Sequence, residues 1–409
     1  MFKRNVLAVS MAVAGLCSAQ AMAAVVGGGA TLPENLYGIP GTTGILNGSA
    51  PYAGFNDYIG VGSGGGKSSF FNNNSNLLVW DLDGNGTLEP VYSPAVTVDY
   101  AGSDSIVSMA ELNAYNAPGA THGRDNYGPL VQIPSAATSV TVPFNVTGLG
   151  SLDLTSQQLA DIFAGTITDW SDLNLGQGIA GPITVVYRQG SSGTSEIFLR
   201  HLNAVAPGTV TGVSSTFTSV ITPGANFVSA VGSSGVAAAV AATAGSIGYV
   251  GPEAAEFNNP AKVVRVKRSS ADATGLLPSQ VNVTAALNSV SLPVGGATAA
   301  SDPLAWAPAA QLANPSAGYP IVGVTNLIFS QCYLDTAAGG DLAKIRSFLA
   351  RHYNANPASN NDSDISASSL IPLPGAWKTA VRNNFITNQT NNGLDIGNLN
   401  VCNGKGRPL

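Results

Sequence analysis

The sequence predicts an α/β protein of two lobes, and three observations carry that expectation. Short β-branched runs alternate with helical stretches, the pattern of parallel sheets joined by helical crossovers. About 386 of the 409 residues remain once an N-terminal leader is set aside, more than one hydrophobic core comfortably organises. Only 10% of residues are charged against 44% hydrophobic and 48 glycines, the balance of a weakly charged globular chain with a large core. That balance excludes disordered and nucleic-acid-binding classes.

The leader comes first. Met1-Phe2-Lys3-Arg4 is positive, Val6 to Leu16 is apolar, and Ala21-Met22-Ala23 offers small residues for cleavage. The mature chain is therefore expected to start at Ala24 and to be periplasmic or secreted. Cys17 follows Leu16, where lipoprotein processing needs a small residue, so lipidation is not expected. No later apolar run reaches the roughly 20 residues of a membrane helix. Without Lys3 and Arg4 the chain has 15 basic and 23 acidic residues, a net charge of −8. An anion bound by such a chain must be held by local dipoles rather than by long-range attraction.

Gly28-Gly29-Ala30-Thr31-Leu32 leads into Pro33, which suits a first helical position, and its glycines let backbone approach a ligand closely. The same residues also read as a plain turn. Tyr58 to Val61 has strand character, and Gly62-Ser63-Gly64-Gly65-Gly66-Lys67 follows as a loop. A nucleotide P-loop would need Gly at position 61, which is Val. Asp81, Asp83, Asn85 and Thr87 place oxygens at alternate positions, with Gly86 at the sixth, as in the first half of a calcium loop. Tyr92 holds the twelfth position, so Glu89 would have to substitute, and an Asn-Gly hairpin fits the same residues. Calcium here would be structural.

Gly102-Ser103-Asp104 adds a carboxylate. Aimed at an oxyanion it repels, unless the anion carries a proton to donate, as phosphate does near neutral pH and sulfate does not. Asp104 also stands near a helix start, but Ser108 and Glu111 already form a capping-box pattern there. Ser139 to Phe144 and Ile183 to Tyr187 read as strands, and Gln157 to Phe163, Val236 to Ala244 and Leu342 to Tyr353 as helices. Arg188 ends a strand, Gln189-Gly190-Ser191 breaks it, and Ser192 to Ala204 reads as a helix with Phe198 and Leu202 on one face. Ser192, Gly193 and Thr194 then occupy a helix N-terminus, whose free N–H groups carry roughly half a positive charge. Arg188 can fork two N–H bonds to one anion. An ordinary capping turn with a surface arginine is the plainer reading of these residues. Ser291 to Pro315, rich in Ala, Pro and Ser, reads as a long surface loop.

These segments, with Ile133 to Val140, Gly181 to Arg188, Gly318 to Ile321, Thr325 to Tyr333 and Asn400 to Pro408, resemble phosphate-binding proteins of the phosphate-specific transport type, most closely the bacterial DING proteins. The resemblance spans nearly the whole mature chain. It implies a two-lobed periplasmic-binding-protein fold of class II, with two hinge crossovers near Ala137-Thr138 and Pro320-Ile321 and the ligand in the inter-lobe cleft. Lobe I would hold residues 24–137 and 321–409, and lobe II residues 138–320. It implies phosphate ligands at Thr31, Leu32, Ser63, Asp104, Arg188, Ser192, Gly193 and Thr194. It also implies binding of inorganic phosphate for uptake or scavenging without a required cofactor, with an ABC-type phosphate transporter as the partner for uptake; the chain is expected to be a monomer. Arsenate, of similar size and pKa, is expected to enter the same site.

The chain departs from that pattern in three places. Ala24-Val25-Val26-Gly27-Gly28 stands where the group reads Asp-Ile-Asn-Gly-Gly. Ala160 and Val205-Ala206 stand where one of two common disulfides is expected. The stretch Trp80 to Tyr92 has no counterpart. Cys332 and Cys402 remain after cleavage, an even count in an oxidising compartment, and are expected to pair. Some proteins resembling this group are named low-molecular-weight alkaline phosphatases, so a phosphomonoesterase is the competing expectation. Against it, His122, His201 and His352 are widely spaced and form no metal-ligand pattern.

Overall fold

The structure is a computed structural model that describes residues 25–176, 178–293 and 300–408. The leader, Cys17 and the cleavage position after Ala23 lie outside the described residues. One sheet has five strands in the order Ile59–Gly60, Gly27–Gly29, Tyr100–Ser103, Val322–Ser330, Leu130–Ser139. Its first three strands are parallel, and Val322–Ser330 runs antiparallel to both neighbours. The other principal sheet has Phe227–Ala230, Thr184–Arg188 and Ser246–Gly248 in parallel, closed by Phe144–Asn145 antiparallel at one edge.

The two sheets are linked by two adjacent strands. Leu130–Ser139 and Val322–Ser330 pair along their whole length to the rung between Ser139 and Val322. Just beyond it Val140 N–H donates to Ile321 O at 3.0 Å, and Thr141 bridges to Val250 in the region of the second sheet. All residues of both strands are buried. The run Ser139 to Phe144 is thus a crossing, with regular pairing confined to its ends.

Most expected elements have counterparts within a few residues: helices Ser156–Phe163, Gly232–Ala242 and Asp341–His352, and the strand Thr184–Arg188. Two expectations are corrected. The glycine-rich run after Val61 forms the first turns of the helix Gly62–Phe71 rather than a loop. Low helix propensity is overridden by packing, because this helix lies directly on the Gly28–Gly29 backbone; a Cβ on Gly66 would fall 2.4 Å from the Gly29 Cα. The described part of Ser291 to Pro315 folds into the short helices Pro303–Trp306 and Ala309–Ala313. Trp306 is fully buried, its ring edge-on to Phe385 at 4.9 Å and its indole N–H donating to Ala300 O. One aromatic anchor outweighs a loop-like composition.

Cys332 and Cys402 are joined by a disulfide. At the positions named above for a second bridge, Ala160 and Ala206 are buried members of the apolar core between the helices Ser156–Phe163 and Gly193–Val205. Next to the disulfide, Arg407 is 0% exposed. Its guanidinium lies between the Phe70 and Tyr127 rings at 4.0 and 4.1 Å, and it donates to Ser330 Oγ, Asn73 Oδ1 and the carbonyls of Phe70 and Val98.

Candidate anion-binding cleft

Every one of the eight residues expected at the anion site lines one cavity of about 230 Å³ between the two sheets: Thr31, Leu32, Ser63, Asp104, Arg188, Ser192, Gly193 and Thr194. Three chain entries converge there. Thr31 and Leu32 follow the strand Gly27–Gly29, Gly62 and Ser63 begin the helix Gly62–Phe71, and Ser192 caps the helix Gly193–Val205. The two longer helices thus turn free N–H groups and the positive ends of their dipoles toward the cavity.

Asp104 supplies the opposite polarity. It is 5% exposed, its backbone N–H donates to Ser63 Oγ at 3.0 Å, and its Oδ1 has no hydrogen-bond partner. Burial raises its carboxyl up to about 7, with Glu253 and Glu196 adding to the rise and Thr325 and Arg188 opposing it. The capping question is resolved by geometry. Ser108 and Glu111 form a complete capping box on the helix Met109–Asn116, which leaves Asp104 outside that role. Lys67, the lysine of the rejected P-loop pattern, donates to Glu111 and to Ile106 O, bracing the loop that carries Asp104.

Arg188 faces Asp104 from the other sheet. Its Nη1 donates to Ser233 Oγ at 3.3 Å, and its backbone N–H donates to the Tyr249 hydroxyl, which also bonds Ser195 Oγ. The lobes touch across the cleft at Gly193, where an added Cβ would fall 2.2 Å from Asp104 Cβ. Ser191, Ser233 and Glu253 also line the cavity. Sequence reading missed Ser233 and Glu253 because both lie more than forty residues beyond Arg188 and carry no motif. Parallel pairing of Phe227–Ala230 and Ser246–Gly248 with the Arg188 strand brings their following turns to the same end of the sheet.

The three histidines stand apart. His201 bonds Ala313 O and Ser156 Oγ, and His352 bonds Ser135 and Asn361; burial pushes both down to about 4, so both are neutral at neutral pH. His122 lies beside Tyr127. None of them lines the cavity.

The Trp80 to Tyr92 stretch is a hairpin, Val79–Trp80 against Glu89–Pro90, with Trp80 opposite Glu89. That register brings Glu89 back to the carboxylates of Asp81 and Asp83, all three offering an oxygen within 4.8 Å of one another. Backbone N–H groups of Gly86 and Asn85 donate to Asp81 and Asp83, and that of Thr87 to Asn85 Oδ1. The strands are joined by the residues 81–88 and Asn85 is not among the positive-φ positions, so the tight Asn-Gly turn is not formed; the acidic groups converge within this longer loop, and none of them lines the cleft cavity.

Two α/β sheets linked by a pair of strands, with a small polar cavity between them, define a two-lobed binding protein of the periplasmic type. A family model for the PBP superfamily domain matches residues 18–344. A high affinity periplasmic phosphate-binding protein, PfluDING, solved with phosphate bound, is 41% identical, with a TM-score of 0.77 over 94% of this chain and 100% of that one. A phosphate binding protein from Stenotrophomonas maltophilia is 40% identical, with a TM-score of 0.74 over 94% of this chain and all of its own. A Pseudomonas aeruginosa protein named alkaline phosphatase L is 45% identical over 413 residues, spanning 100% of both chains. The chain belongs to the PBP superfamily, within its DING-type group. Among the described residues no helix is long and apolar enough to cross a membrane.

Proposed function

We propose that this chain binds inorganic phosphate in the cleft, with Thr31, Leu32, Ser63, Asp104, Arg188, Ser192, Gly193 and Thr194 as its ligands. The carrying observation is the buried, unpartnered Asp104 Oδ1 in a cavity where Arg188, serine and threonine hydroxyls and two helix N-termini supply donors. Helix N-termini and Arg188 satisfy an oxyanion's lone pairs, and Asp104 accepts a hydrogen bond from the O–H that the anion still carries. A fully ionised tetrahedral anion meets only repulsion at that carboxylate. Phosphate and arsenate are admitted and sulfate is rejected. The pair of linking strands serves as the hinge, and an ABC-type transporter is the proposed recipient.

Binding is favoured over ester hydrolysis by how the histidines are used, since those of the core are committed to carbonyl and hydroxyl partners and none faces the cavity. Calorimetric titration of anion-stripped protein is expected to show one phosphate bound per chain, no sulfate binding, and no turnover of p-nitrophenyl phosphate. Turnover abolished by Arg188→Ala or Ser192→Ala would instead identify an esterase.

Asp104→Asn tests the discrimination. Phosphate affinity is expected to fall by about ten- to a hundredfold, and sulfate binding to become measurable. A stability signature accompanies it. With its carboxyl raised to about 7 in the fold, Asp104 holds a proton that the unfolded chain has released above about pH 4. Stability therefore falls as pH rises through that window, and Asp104→Asn removes the fall. Ligand-free Asp104→Asn should have a higher denaturation midpoint than wild type above neutrality and an equal one near pH ~4.

For the hairpin, we propose a structural calcium site on the Asp81, Asp83, Asn85, Thr87 and Glu89 oxygens. Excess calcium should raise the thermal midpoint of wild type and leave that of Asp81→Asn/Asp83→Asn unmoved. An equal shift in both proteins would remove the proposal.

A further inference from the structure

We propose that Glu253 is a positioning residue for Arg188, acting through Ser233; the proposal rests on the phosphate reading. The Arg188 Nη1 donates to Ser233 Oγ at 3.3 Å, and Ser233 is the side chain that favours the charged form of the Glu253 carboxylate. All three side chains line the same cavity. The carboxylate folds back over Gly251, where an added Cβ would lie 2.1 Å from Oε2 and 2.6 Å from Oε1. Gly251 itself has φ −67° and ψ 161°, a conformation open to any residue, so what glycine provides there is room for the carboxylate. A guanidinium presents its donors in a rigid fork, and its value to a tetrahedral anion depends on orientation. Arg188 Nε is buried without a partner, so the bond through Ser233 is what fixes the plane of the fork.

The charges around Glu253 are consistent with this role. The cleft raises its carboxyl by desolvation, while Ser233 and Arg188 hold it down; across the cleft its charge reaches Glu34 and Asp104. Arg188 is thus a cation set against Glu253, and Glu253 the carboxyl that aims Arg188.

The test is phosphate titration of Glu253→Gln, Ser233→Ala and Gly251→Ala, each alone and combined with Arg188→Ala. Gly251→Ala displaces the carboxylate without removing its charge, and Ser233→Ala cuts the link while leaving both ends. Each single variant is expected to bind phosphate about tenfold more weakly while remaining folded under the conditions of the titration, and to add nothing once Arg188 is gone. Equal losses in the presence and absence of Arg188, unchanged affinity, or tighter binding by Glu253→Gln would each overturn the proposal. Should Glu253→Gln fail to fold, the other two variants decide. A wild-type protein that binds no phosphate refutes the underlying reading instead.

Discussion

Gly193→Ala is expected to lose phosphate affinity by about a hundredfold or more while keeping its unfolding midpoint. An added Cβ would meet Asp104 at 2.2 Å from its Cβ and 2.9 Å from Oδ2, closer than carbon atoms can approach. Gly193 opens a helix and lies outside the positive-φ positions, so alanine is comfortable in the backbone. Gly193 follows the Thr184–Arg188 strand of one sheet and Asp104 the Tyr100–Ser103 strand of the other, and the collision therefore exists only when the lobes are together. The substitution penalises the closed arrangement and spares the open one, which is a shift of population by about 3 kcal/mol. Calorimetry with denaturant unfolding separates the two effects. Undiminished affinity would mean that the Gly193 contact is not needed for binding.

Arg407→Ala is expected to lower stability by about 3–5 kcal/mol, read as a shifted denaturant midpoint. Two costs add. The guanidinium fills the space between the Phe70 and Tyr127 rings, so truncation opens a cavity lined by aromatic faces. It also leaves the Phe70 and Val98 carbonyls, Ser330 and Asn73 without their donor in a buried setting. Arg407→Lys should recover only part of the loss, because an ammonium cannot lie flat between two rings while reaching all four acceptors. Phosphate affinity measured below the unfolding transition should be unchanged, since the clasp is formed outside the cleft. A shift below about 1 kcal/mol would mean that the pocket collapses around the loss.

Most residues that line the cavity were legible because their chemistry is local. An arginine at a strand end, a Ser-Gly-Thr helix entry and a capping box that excludes Asp104 each show within a dozen residues. The resemblance then joined segments that composition alone leaves separate. Glu253 and Ser233 stayed hidden because their proximity to Arg188 is created by parallel strand pairing, which no short window contains. The helix after Val61 was misread as a loop because its glycines answer to a neighbouring backbone rather than to their own propensity. Arg407 was seen as part of a matching stretch, but its burial depends on two rings more than two hundred residues upstream.

Both ends of the described chain are fastened to the same place. Val26 exchanges hydrogen bonds with Asp99, and Arg407 reaches Val98 O next door. The five-stranded sheet also waits for Val322–Ser330, which fills the gap between Tyr100–Ser103 and Leu130–Ser139. A chain that emerges from the ribosome N-terminus first can therefore assemble the second sheet early, but the first sheet stays unfinished until Val322–Ser330 has appeared. The half synthesised first is thus the half that cannot lock shut until a strand from late in the chain arrives.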